Sequence, residues 1–156
     1  MPSEGMVRKL AAPAYLVAAL LVAVPLLDFV TNVWPPHPGQ AVWRYGSVGL
    51  FSGFILNPLL GVLVAVVTAA AAEHGRALRV MGWLSVAIAV LFLLASGSFV
   101  LDALQVRADV PPEGRTQFET GIWRAVVKYL VVAVALAWLG IAARRAGRYT
   151  RRGVGG

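Results

Sequence analysis

The stretch VMGWLSVAIAVLFLLASGSFVLDAL, residues 80–104, decides the fold. It runs for twenty-five residues with a single charge, Asp102, near its far end. About 20 consecutive apolar residues, rising 1.5 Å each, span a hydrocarbon core of roughly 30 Å. Inside lipid a backbone has to satisfy its own hydrogen bonds, so this stretch is a membrane-crossing helix rather than a strand.

Three more segments of the same kind surround it, at residues 10–30, 46–72 and 121–143. Together they predict an all-α fold: a four-helix transmembrane bundle, one membrane domain over residues 1–156, with a basic C-terminal tail at 144–156. The first segment follows Arg8 and Lys9, as a signal peptide would. Its apolar run exceeds an h-region of about 7–15 residues, and it ends in Leu26, Leu27, Asp28 and Phe29 without a small-residue cleavage pattern. It reads as a retained helix. The chain is 13% charged, against about 25% in soluble domains, and no polar stretch is long enough for a second soluble domain. The absence of cysteine excludes disulfides, thiolate metal sites and thiol nucleophiles.

Lysine and arginine set the sidedness. An even number of spans puts Arg8, Lys9, Arg76, Arg79 and the tail arginines 144, 145, 148, 151 and 152 on one side. Arg44, Arg107, Arg115, Arg124 and Lys128 fall on the other. Nine against five predicts both termini in the cytoplasm, in a bacterial inner (plasma) membrane. Directly after an apolar helix, the basic tail reads as a topology signal that meets anionic headgroups, and no nucleic-acid partner is expected. Trp34, Trp43, Tyr45 and Trp123 mark one interface; Trp83 and Tyr149 mark the other.

The two halves resemble each other. Leu27-Asp28, Pro35-Pro36 and Trp43-Arg44 recur in order as Leu101-Asp102, Pro111-Pro112 and Trp123-Arg124. This predicts two similar helical hairpins related by a parallel internal repeat. The alternative is coincidence, since prolines and tryptophans are common in such loops.

Five charges share the outer membrane level: Asp28, Arg44, Asp102, Arg124 and Lys128. The aspartates sit near helix C-termini and the arginines near helix N-termini, where the macrodipole disfavours each. Pairing across helices would offset both, which predicts a charged cluster at the outer face. Its role is either structural, as ion pairs or snorkelling side chains, or a ligand or ion site. Asn57-Pro58 lies about 18 Å below Tyr45 at 1.5 Å per residue, near the midplane. It is a kink with a polar group beside it, either a packing feature or a transporter-like site. Gly49 and Gly53 form a small-xxx-small pair, predicted to be a helix-packing face within the bundle or toward a partner.

The outer loop, Asn32 to Gln40, holds Pro35, Pro36 and Pro38, which enforce extended backbone. Trp34, His37 and Trp43 form a candidate partner-facing loop. His37 and His74 belong on opposite sides of the membrane, so this chain alone cannot place two axial ligands on one b haem. No metal, cofactor or catalytic set is predicted.

Three functional classes remain. The first is a non-catalytic accessory or assembly subunit of a larger membrane complex, with membrane lipids and other membrane subunits, or further copies of itself, as partners. The second is a small oligomeric transporter or channel. The third is an outer-leaflet enzyme acting on lipid, using Asp28 or Asp102 with Arg124.

Overall fold

The computed structural model describes the backbone of residues 4–152 and the side chains of residues 9–148. The side chains of Arg8, Tyr149, Arg151 and Arg152, used above for sidedness and the interface, lie outside the described residues, as do residues 153–156 of the expected tail.

The described chain is all-α. Helix α1 is Glu4–Val33, α2 is Ala41–Phe54, α3 is Leu56–Ala71, α4 is Gly75–Val106 and α5 is Arg115–Arg152. Single 3-10 turns at Arg107–Asp109 and Pro112–Gly114 join α4 to α5. Helices α1, α4 and α5 are each long and apolar enough to cross a membrane. Helices α2 and α3 reach that length only together, as a pair bent by 49° at the break between them. The fold is an all-α membrane bundle of three continuous helices long enough to span and one helix pair bent at its break. Helix α5 continues through residues 144–152, the first part of the basic tail.

The break has a local cause. Pro58 carries no N–H, so the carbonyl of Phe54 loses its helical donor, and the proline ring crowds the turn before it. The bend falls at Ile55, between the two helices. The helix resumes when the Leu59 amide donates to the Ile55 carbonyl at 3.3 Å.

Helices α4 and α5 form a closely packed antiparallel hairpin. Helix α3 lies between that hairpin and α1, while α2 packs mainly on α4. Close approach is possible because glycines face each other. A Cβ on Gly140 would lie 2.7 Å from the Gly82 carbonyl oxygen. One on Gly61 would lie 2.7 Å from the Ala18 carbonyl oxygen of α1. Without a strong hydrophobic force between helices in lipid, such backbone proximity and its dispersion energy hold them together.

The bundle axis is filled by aromatic rings. Tyr129 of α5 is fully buried and donates from its hydroxyl to the Val48 carbonyl of α2 at 2.6 Å. Its ring meets Phe92 and Phe51, and Tyr45 stacks on buried Phe99 with 4.9 Å between centroids. A second buried cluster, Val66, Ala69, Leu78, Leu139 and Ala143, closes the end where both termini lie.

The α3–α4 turn is a Schellman cap. The His74 amide bonds the Ala69 carbonyl at 2.9 Å and the Glu73 amide bonds the Ala70 carbonyl at 3.2 Å. Glu73 therefore adopts φ 56°, a left-handed position that usually holds glycine.

Candidate functional site at the loop end of the bundle

Helix α2 begins, and α4 ends, at the end of the bundle that carries the two long connections. Arg44 therefore sits on the first turn of α2 and Asp102 on the last turns of α4, at one level. Arg44 Nη2 donates to Asp102 Oδ1 at 2.6 Å, and Nε lies 3.1 and 3.2 Å from the two carboxylate oxygens. Its Nη1 donates to the Pro38 carbonyl at 2.8 Å. One guanidinium thus ties together the outer loop, α2 and α4. Asp102 is 5% exposed, so its charge depends on this fork, while Arg44 keeps one edge toward the surface. Two charges that the helix dipoles disfavour singly are mutually compensated.

The other three predicted members stand apart. Asp28, Arg124 and Lys128 are all exposed, and among the described residues none makes an ion pair. The Asp28 backbone carbonyl accepts bonds from Thr31 Oγ1 and Asn32 Nδ2. The pair that the repeat would generate as the counterpart of Arg44 with Asp102, namely Arg124 with Asp28, is not made. A second ion pair joins Arg107 to Glu119 at 2.6 Å. It is half exposed, where such pairs contribute little.

The outer loop is braced from within. Trp43 Nε1 donates to the Val33 carbonyl at 3.1 Å, and His37 Nδ1 donates to the Pro35 carbonyl at 2.8 Å. Trp34 is 70% exposed. A surface cavity of about 340 Å³ opens between Trp34, His37, Trp43, Gly46 and Leu50. Below it, Gly53 faces open space, whereas a Cβ on Gly49 would make ordinary contact with Phe99 at 3.5 Å. Asn57 is exposed beside half-buried Pro58, and its side chain forms no hydrogen bond among the described residues.

Sequence reasoning passed over the closest helix contacts. Gly75 and Gly82 on α4, and Gly140 and Gly147 on α5, are each seven residues apart, which places each pair on one helix face. A Cβ on Gly147 would lie 3.0 Å from the Gly75 carbonyl oxygen. That spacing was the available signal. Tyr15 and His74 were also not foreseen as partners: the Tyr15 hydroxyl lies 3.0 Å from His74 Nδ1 at the termini end.

Among the described residues, no three His, Asp or Glu side chains gather as a metal site. No known family model, curated protein or solved structure matches the chain.

Proposed function

We propose that this membrane protein is a non-catalytic accessory or assembly subunit of a larger complex, set in a bacterial inner membrane with both termini in the cytoplasm. One observation carries the reading. The two large polar side chains of the interior, Asp102 and Tyr129, are already engaged, while outward aromatic and polar groups are left for a partner. Asp102 is consumed by Arg44, and the Tyr129 hydroxyl by the Val48 carbonyl. The aromatic plug of Tyr129, Phe92, Phe51 and Phe99 occupies the axis that a single-chain path would need. Trp34 in the outer loop and Asn57 on α3 are both exposed. A carboxamide without a partner at hydrocarbon depth is costly, so a neighbouring helix that bonds it gains affinity.

A second reading, a small oligomeric transporter, draws on the same Asn57 beside the broken span. Copies arranged around that face would line a shared path.

Native mass spectrometry of the protein gently extracted from its own membrane separates these. Association with larger, different subunits, lost in Trp34→Ala or Asn57→Leu, is the expected result. Release as a homo-oligomer alone overturns the accessory reading and directs attention to flux assays on Asn57→Ala.

A further inference from the structure

Two arginines are seated in the seam between α4 and α5. Arg144 of α5 crosses onto α4: a Cβ on Gly82 would lie 2.6 Å from its Cγ, and its guanidinium carbon is 4.2 Å from the centroid of the Trp83 ring. Arg79 of α4 crosses the other way: a Cβ on Gly147 would lie 3.1 Å from its Cγ, and its Nε donates to the Gly75 carbonyl at 3.3 Å. Arg79 and Trp83 are four residues apart and so share one face of α4. Arg144 reaches that face at the Trp83 ring, which puts both arginines on one side of the hairpin, about one helical turn apart.

Their charges are unspent. Among the described residues neither arginine enters an ion pair, whereas Arg44 is neutralised by Asp102. Among the described side chains the termini end holds one acid, Glu73, exposed in the α3–α4 turn. What is already fixed is conformation. Contact with a glycine, stacking on an indole and a bond to a carbonyl hold side chains that otherwise sample many rotamers. An anion that binds them therefore loses less to side-chain ordering. The planar guanidinium fork matches the oxygens of a phosphate group.

The surface next to the arginines shows what carries that anion. Beyond Trp83 the same face of α4 continues as Ala87, Val90 and Leu94, all exposed and apolar. The ligand joins an anionic head at the termini end to an apolar body lying toward the midplane. A phospholipid has that form, and anionic headgroups gather at basic groups on a membrane surface.

We propose that Arg79, Arg144 and the Trp83 ring bind the headgroup phosphate of one anionic phospholipid in the leaflet at the termini end, with its acyl chains along Ala87, Val90 and Leu94. The site stands whether the protein works within a complex or alone.

The full chain in mild detergent is titrated with phosphatidylglycerol or phosphatidylcholine and read by native mass spectrometry. The wild type should bind one phosphatidylglycerol at least about tenfold more tightly than phosphatidylcholine. Arg79→Gln with Arg144→Gln should weaken phosphatidylglycerol binding at least about tenfold, with the far-UV circular dichroism unchanged. Lys9→Gln with Arg145→Gln removes the same charge from exposed side chains at the same end, and should weaken it less than about twofold. If the first double variant loses helicity, Arg79→Gln and Arg144→Gln are measured singly, each expected to bind about fivefold more weakly. The proposal is overturned by a wild type that binds no lipid or both lipids equally, or by inorganic phosphate that displaces phosphatidylglycerol at equal concentration. Equal losses in the two double variants overturn it as well, since net charge rather than a built site would then hold the lipid.

Discussion

Replacing Gly140 with alanine should destabilise the bundle, while the same change at Gly53 should not. The added Cβ at 140 would lie 2.7 Å from the Gly82 carbonyl oxygen, 2.8 Å from Val86 Cγ2 and 3.2 Å from Ser85 Cβ. Comfortable separations start near 3.5 Å, so the first two atoms must retreat by about 0.7–0.8 Å. The carbonyl belongs to a helix backbone and cannot rotate away, so α4 and α5 must separate. Overpacking of this kind costs about 1–3 kcal/mol. Alanine returns about 0.8–1.0 kcal/mol of helix propensity at either site. At Gly53 nothing lies within 4 Å of the new methyl, so only the gain remains. Subtracting the two variants cancels propensity and isolates packing, for an expected difference of about 1–3 kcal/mol. Unfolding in mixed detergent micelles by added dodecyl sulfate, followed by far-UV circular dichroism, measures it. Equal stability of Gly140→Ala and Gly53→Ala would refute the close-contact account of the hairpin.

Three further outcomes are expected in the same assay. Arg44→Leu should destabilise more than Asp102→Leu, because it strands a buried carboxylate whereas the reverse leaves a cation that reaches the surface; the double variant should recover most of the loss, and additive losses would show that the two do not couple. Glu73→Gly should stabilise by about 1 kcal/mol, since it relieves a left-handed non-glycine residue; a loss instead would mean that the carboxylate contributes at that turn. Tyr129→Phe keeps the ring and removes the bond to Val48, lowering stability by about 1 kcal/mol; an unchanged midpoint would show that the hydroxyl is dispensable.

Depth along the membrane normal was readable from the chain, and direction around each helix was not. Counting residues placed Arg44 and Asp102 at one level, and it placed Asp28 and Arg124 there as well. Only packing decides which of four charges at equal depth face each other, and α1 packs on α3 rather than against α5. The glycines follow the same rule. Gly49 and Gly53 have the familiar spacing, yet the backbones approach most closely at Gly61, Gly82 and Gly140. Pro58 was legible as a kink because its effect is covalent and local, although the bend appears at Ile55, next to the carbonyl that lost its donor. Nothing in hydropathy distinguishes a kinked helix from two helices, so the single span read at 46–72 became α2 and α3.

The broken span bears on how the chain is made. Helices α2 and α3 contain 14 and 16 residues, or about 21 and 24 Å at 1.5 Å per residue, each short of the roughly 30 Å needed to cross. Neither helix can cross alone, and the hydrogen-bond defect lies at the centre of the pair. Arg44, at its leading edge, is synthesised 58 residues before the carboxylate that neutralises it. Until α4 emerges from the ribosome, that arginine lacks its carboxylate and has only the Pro38 carbonyl, headgroups and water as partners. The pair that neutralises both charges therefore locks the second apolar segment to the third only after both have been made.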